Sequence, residues 1–197
     1  MNILDRRAAM SYMGNQEHWD DKFRSRGDKC LSPDDELIEN IHQLKSGTVL
    51  DVACGDGRNT MYLLEKGFEV TGIDFSSEAL NRLENFAHEY QDNLSTRVVD
   101  LERLDDLNEL GIFDNIIINH YRAKEMLLLK LYDMLNENGI LYISGFSEKH
   151  KTDERVRYMD IIRQSDLDCL SDRMICLHKK NFSDKRGSFV TYILRKK

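Results

Sequence analysis

The sequence predicts an α/β fold in which helices cover both faces of a mostly parallel sheet and one strand near the C-terminus runs antiparallel. Three observations carry this expectation. Short apolar runs alternate with helical stretches between residues 48 and 145. The runs are apolar throughout, as strands buried on both faces are. The last two runs are separated by a turn, too short for a crossover, so they cannot both be parallel.

The elements follow in chain order. The first fourteen residues carry no strong pattern, and residues 16–26 are polar around the single tryptophan, Trp19. Residues 1–31 therefore read as an N-terminal arm and a possible lid, with Trp19, Tyr12 and Phe23 as candidate lid or core aromatics. Residues 32–197 read as one domain. Ser32-Pro33-Asp34-Asp35 reads as a helix start, with Ser32 as cap, Pro33 at the first helical position and acids at the positive end of the dipole. Strands are expected at 48–53, 68–73, 96–99, 113–118 and 139–145. Helices are expected at 58–66, from the cap Ser76 through Leu80, Leu83 and Phe86, at 124–135 and at 153–164. Two late strands, 174–177 and 188–194, meet around the turn Ser183-Asp184-Lys185-Arg186-Gly187. No repeat, low-complexity tract or linker interrupts the pattern, and Pro33 is the only proline.

Composition narrows the class. With 197 residues and 41% hydrophobic content, the chain suffices for one domain with a sizeable core. A net charge of −7 argues against nonspecific nucleic-acid binding. The basic residues near the C-terminus, such as Lys179 and Lys180, read as solvated strand ends. Cys30, Cys54, Cys169 and Cys176 form no C-x-x-C pair and have no histidine at metal-ligand spacing, so no metal site is expected. Arg6 and Arg7 are followed by polar residues, not a signal-peptide core, and no apolar run is long enough to span a membrane. A cytoplasmic protein with free thiols is expected, as a monomer or homodimer.

The chemistry concentrates at the carboxyl ends of the strands. Asp51-Val52-Ala53-Cys54-Gly55-Asp56-Gly57 links the first strand to a helix, and Gly55 and Gly57 let backbone approach a ligand closely. A dinucleotide and S-adenosylmethionine (SAM) both fit such a loop. The residues favour SAM. Gly55-Asp56-Gly57-Arg58-Asn59-Thr60 lacks the third glycine of the dinucleotide fingerprint. Asp51 and Asp56 would repel a pyrophosphate, whereas they complement an ammonium and a sulfonium. Asp74 ends the second strand, where an acid accepts from both ribose hydroxyls. Phe75 is placed to pack on adenine, and Asp100 to accept from an exocyclic amine. Any one of these acids alone also reads as a helix cap or turn residue. Their position at three successive strand ends points to a site.

The motifs resemble the class I SAM-dependent methyltransferases, and within them the tellurite-resistance and small-molecule subgroup. Val49 to Asn59 is similar to the first motif, including the Arg58-Asn59 pair. Val70-Thr71-Gly72-Ile73-Asp74-Phe75-Ser76 is similar to the second, and Thr96-Arg97-Val98-Val99-Asp100-Leu101 to the third. Asn136-Glu137-Asn138-Gly139 stands at the turn into the fifth strand, and His18-Trp19-Asp20 is similar to the subgroup's N-terminal segment. The resemblance implies a Rossmann-like doubly wound sheet of seven strands with one antiparallel. It implies that Asp74 binds the ribose, that Asp100 and the backbone of Leu101 hold adenine, and that the loop of Ala53, Cys54, Gly55 and Gly57 contacts the methionine part; Asp51, Asn59, Phe75, Ser76, Asn119 and Trp19 are further candidate cofactor contacts. Ala53 departs from the family's usual glycine. Alanine costs little there if the backbone is extended, and binding is expected to survive.

Methyl transfer from a sulfonium needs alignment and a dry pocket more than elaborate machinery. The fourth strand ends in Asn119-His120-Tyr121-Arg122. His120 is the candidate base or orienting group, with a hydrogen-bonded structural residue as the alternative. Tyr121 is the second catalytic candidate. His120, Tyr121 and Arg122 are candidate substrate contacts, although Arg122 also reads as the start of the next helix. The expected substrate is a small nucleophile: a thiol, a hydroxyl, an amine or, by the subgroup resemblance alone, a metalloid oxyanion. A SAM-binding regulatory module and a nicotinamide-dependent oxidoreductase are the competing expectations.

Overall fold

The computed structural model describes residues 16–153 and 156–197. Tyr12, a candidate lid aromatic, lies outside the described residues. The helices are α1 (Gln16–Arg24), α2 (Asp35–Asn40), α3 (Arg58–Glu65), α4 (Ser77–Phe86) and α5 (Glu125–Asp133). The strands are β1 (Thr48–Val52), β2 (Glu69–Asp74), β3 (Leu94–Val98), β4 (Phe113–Asn119), β5 (Leu135–Phe146), β6 (Met174–Asp184) and β7 (Gly187–Lys196). They form one seven-stranded sheet in the order β3-β2-β1-β4-β5-β7-β6. β1 to β5 pair in parallel, and β7 runs antiparallel to both of its neighbours. The single antiparallel strand expected near the C-terminus is therefore β7.

The apolar runs explain the layering. Leu50 and Val52 of β1, Ile116 and Ile118 of β4, and Leu141 and Ile143 of β5 join a core cluster with Leu127, Leu128 and Leu131 of α5. Their neighbours Val49, Ile117, Ile140 and Tyr142 join a second cluster with Leu63 and Leu64 of α3 and Leu80 and Leu83 of α4. Alternate residues of one strand thus feed opposite faces of the sheet. Strand order reverses between β1 and β4, which opens a crevice at their carboxyl ends. Buried Asn115 ties the approach to β1 onto β4. Its Oδ1 accepts from the Lys45 backbone N–H at 2.8 Å and its Nδ2 donates to the Lys45 carbonyl at 2.7 Å. Among the described residues no helix is long and apolar enough to cross a membrane.

Three local expectations are corrected. α2 begins at Asp35 with Asp34 as its N-cap residue, so Ser32 is not the cap. The Asp34 side chain does not cap the helix either, because it turns toward β4. Residues 153–164 do not form the expected α-helix; of these, 154 and 155 lie outside the described residues. Consecutive Ile161 and Ile162 are both buried, and Ile162 bridges Ser147 in parallel, donating its N–H to the Phe146 carbonyl at 2.8 Å. Short 3-10 turns at Tyr158–Asp160 and Gln164–Leu170 flank this extended piece. The late hairpin is also longer and its turn tighter: Asp184 pairs with Gly187, leaving only Lys185 and Arg186 between the strands.

Candidate functional site

A cavity of about 300 Å³ opens at the carboxyl ends of β1, β2 and β4, under α1. Of the residues singled out from the sequence, Trp19, Asp51, Ala53, Gly55, Asn59, Asp74, Phe75, Asp100, Leu101, Asn119, His120 and Tyr121 line it. Cys54, Asp56, Gly57, Ser76 and Arg122 do not, and each has another role. Cys54 turns inward, its Sγ packed over Gly72, and burial pushes its thiol well up. Gly57 starts α3 at φ 87°, where a Cβ would meet Leu83 Cδ1 at 2.3 Å. Ser76 caps α4, accepting from the Ala79 N–H at 3.1 Å. Arg122 is engaged by Asp166 through two hydrogen bonds of 2.8 and 2.6 Å, which fasten the segment after β5.

The loop geometry follows from its backbone. The Cys54 N–H donates to the Ile73 carbonyl at 3.0 Å, continuing the β1–β2 contact two residues past β1. The chain then turns through left-handed residues, Ala53 at φ 56° and Gly55 at φ 57°. The extended conformation that would suit Ala53 is therefore not adopted. Its Cβ sits in a strained region that glycine enters freely. The Gly55 N–H donates to Asp74 Oδ2 at 2.9 Å, and the Ser76 N–H to Oδ1 at 2.9 Å. Two carboxylate oxygens have about four acceptor positions, so the Asp74 carboxylate can take two further donors.

Asp51 and Asp74 are 2% and 6% exposed, and neither has an ion-pair partner among the described residues. Burial pushes Asp51 up to about 7, against the hydrogen bond donated by Thr60 Oγ1 at 2.6 Å and with the help of nearby Asp74. Burial also raises Asp74, opposed by its backbone donors. Asp56 behaves differently from the sequence expectation. It is buried but points away from the cavity, pairing with Arg26 at 2.6 Å and Arg82 at 3.4 Å. It is thus a clamp for the segment after α1 and does not line the cavity. Asp20 fastens α1 from the other side, accepting from Ser76 Oγ at 2.5 Å.

Sequence reasoning missed Lys22, Arg26, Leu31, Arg58 and Glu102, which also line the cavity, and Asp34 behind it. Arg58 carried a usable signal, since a cation at a helix N-terminus opposes the dipole. It is offset by Asp34, 3.4 Å away, and by the Ser32 carbonyl at 2.9 Å. Lys22 lies over the Trp19 ring, 3.9 Å from its centroid, and Phe23 packs against Gly55. Tyr121 has its phenol pushed up to about 12 by burial and by Glu102 and Asp100. It can donate a hydrogen bond but is a poor base near neutrality. Asn119 lines the cavity, and its Oδ1 is buried without a hydrogen-bond partner among the described residues.

Comparison with known proteins is consistent across methods. Residues 43–187 match the model of a methyltransferase domain. The Bacillus subtilis protein YqeM is 35% identical over 109 residues, which are 49% of this chain and 41% of that one. The ubiquinone biosynthesis O-methyltransferase of Coxiella burnetii is 28% identical over 120 residues, 59% of this chain and 50% of that one. This chain thus spans half the length of those two relatives or less. Among solved structures, TehB from Haemophilus influenzae superposes with a TM-score of 0.67 at 19% identity, covering 82% of this chain and 62% of that one. The N-methyltransferase NodS from Bradyrhizobium japonicum, in complex with S-adenosylhomocysteine (SAH), gives 0.67 at 15% identity over 92% and 98%. At these identities the structures share the fold.

Two predictions follow from the site's backbone and charge. Ala53→Gly removes left-handed strain and should stabilise the chain by about 1 kcal/mol, since the strain of about 1–2 kcal/mol is partly offset by glycine's entropy. Urea unfolding reads this, and a loss of stability would contradict it. Asp51 is raised above its unfolded value of 3.8 to about 7, so the native state holds the proton longer. Stability should then fall as pH rises between those values. Asp51→Asn should be stabilising at pH 8 and nearly neutral at pH 4; equal effects at both would remove the buried-charge account.

Proposed function

The chain belongs to the methyltransferase domain family matched by residues 43–187, and we propose that it transfers a methyl group from SAM to a small-molecule nucleophile. The observation that carries this reading is the pair of buried carboxylates, Asp51 and Asp74, that line the cavity without a cation of their own. A pyrophosphate would meet two carboxylates there. A ligand carrying an ammonium, a sulfonium and a pair of vicinal hydroxyls meets complementary groups.

The residues present fit that ligand. Asp74 has acceptor capacity left for two hydroxyls after binding the Gly55 and Ser76 N–H groups. Phe75, Val99 and Leu101 offer apolar surface for a purine, with Asp100 beside them to accept from its amine. Asp51 and Asn119 Oδ1 provide acceptors for the ammonium end. When bound, SAM supplies a methyl carbon made electrophilic by its sulfonium, and loss of that methyl leaves a neutral thioether. The work of this chain is then to hold, align and exclude water. Trp19, Lys22 and Phe23 cover the cavity from α1, so α1 acts as the lid in this reading and the segment before Thr48 as the main selectivity element. The acceptor meets the wall formed by His120 and Tyr121, where Tyr121 donates a hydrogen bond.

Calorimetry tests this directly. SAM and SAH should bind, and NAD(H) should not. Asp74→Ala should weaken SAH binding by about 1–3 kcal/mol, as for a lost charge-assisted acceptor. Binding of NAD(H) without SAM or SAH would defeat the reading, and unchanged affinity in Asp74→Ala would remove that residue from the site.

A further inference from the structure

Resting on the reading above, we infer that Asp34 is a positioning residue: it holds His120 with the proton on Nε2 and leaves Nδ1 to receive a proton from an O–H, S–H or N–H methyl acceptor. Asp34 is 5% exposed, and a residue at a helix N-cap ordinarily turns its side chain back onto the helix. Here it makes no such bond. Its carboxylate instead collects donors from three distant parts of the chain. Asn119 donates Nδ2 to it, Arg186 at the tip of the β6–β7 hairpin lies 3.1 Å away, and Arg58 3.4 Å away. His120 Nε2 lies 3.2 Å from Asp34 Oδ2. The Asp34 backbone N–H is itself fixed by Asn59 Oδ1 at 3.0 Å.

This arrangement selects a tautomer. These donors outweigh the opposing effect of burial and hold the Asp34 carboxyl well below its usual range, so it is an acceptor only. A neutral His120 facing it must donate, which puts the proton on Nε2. Arg186 Nη1 is 3.4 Å from the same nitrogen and is also a donor, but its shorter contact is to Asp34 Oδ1, and its other Nη is 2.7 Å from Asp184. Nδ1 is then the lone-pair nitrogen, and it is buried with no hydrogen-bond partner among the described residues. The backbone supports a set position for the ring. His120 is left-handed at φ 57°, a conformation uncommon for non-glycine residues, and its ring packs on Phe146 and Phe189 at centroid distances of 6.0 and 5.6 Å.

The proton transfer fixes a substrate class. As the acceptor's lone pair bonds to the methyl carbon, its X–H bond breaks and the proton passes to Nδ1, while the S–C pair stays on sulfur. The imidazolium so formed is stabilised by the Asp34 carboxylate through Nε2–H. A fully ionised oxyanion has no proton to give and gains nothing from this device. Within the small-molecule reading, Asp34 therefore points to a neutral hydroxyl, thiol or ammonium-derived amine.

The charged and titratable groups around His120 are Asp34, Arg186 with its partner Asp184, Arg58 behind Asp34, Tyr121 next in sequence and His150 across Phe146. Long-range proton–nitrogen correlation spectra of the uniformly ¹⁵N-labelled full chain read the tautomer, with His120 assigned from the pattern that disappears in His120→Gln. Neutral His120 should carry its proton on Nε2. In folded Asp34→Asn, whose amide can donate as well as accept, the preference for the Nε2 proton should be lost, because the acceptor-only partner is gone. A proton on Nδ1 in the unmodified chain, or an unchanged preference for the Nε2 proton in folded Asp34→Asn, would overturn the inference. If Asp34→Asn does not fold, Arg186→Gln keeps Asp34 and removes only the neighbouring cation. The Nε2 proton should be retained there, and a proton moved to Nδ1 overturns the inference. SAH titration of the same samples separates the two levels: a chain that binds SAH with Nδ1 protonated loses only this inference.

Discussion

A carboxylate at the end of the central strand has to be reconciled with near-complete burial. Asp51 lies on β1, between β2 and β4, with Val49, Leu50 and Val52 fully buried around it. Removing a carboxylate from water costs far more than one hydroxyl hydrogen bond returns. The Thr60 hydroxyl therefore does not keep it ionised, and its proton is retained to about pH 7. A cation delivered into the cavity would change that balance. The same logic applies to Asp74, whose backbone donors only partly offset burial. The empty-handed acids on the cavity floor are thus the feature around which the loop, the crevice and the covering helix are arranged.

The other buried acids show the contrast. Asp56 and Asp34 are as inaccessible as Asp51, but each has cationic partners within the chain. Breaking such a buried pair strands a charge, so these contacts fix geometry more than they add net stability. Asp56 fixes the segment after α1 through Arg26, while Arg82 donates to the Gly27 carbonyl at 2.7 Å. Asp34 joins α2, the start of α3, the end of β4 and the tip of the late hairpin. Asp56 and Asp20 therefore hold the cover of the cavity, and Asp34 holds its wall.

Much of this was legible in the sequence because it is local. β1, β2, β4 and β5 announced themselves as apolar runs, and the acids at strand ends followed once the strands were placed. The glycine loop was visible as well, but the left-handed Ala53 was not, since composition does not reveal φ. What stayed hidden depends on partners far apart in the chain. Asp34 read as an ordinary helix-start acid because Arg186, 152 positions away, leaves no mark near it. Asp56 read as a ligand contact for the same reason. Residues 153–164 had helical composition, yet two adjacent isoleucines were better buried by an extended bridge to Ser147. Arg122 read as a substrate contact, and nothing near it marked its pairing with Asp166.

The central claim is that the cavity floor holds a protonated carboxyl awaiting a cation. Proton exchange on ligand binding measures this most directly. At pH 6 the ligand's α-amino group is already charged, its ordinary pKa being about 7.7–8.0. Calorimetric titration of SAM in buffers of different ionisation enthalpy should then show release of most of one proton per ligand, as Asp51 ionises against the incoming charge. Binding with no proton release, or with release undiminished in Asp51→Asn, would contradict the account.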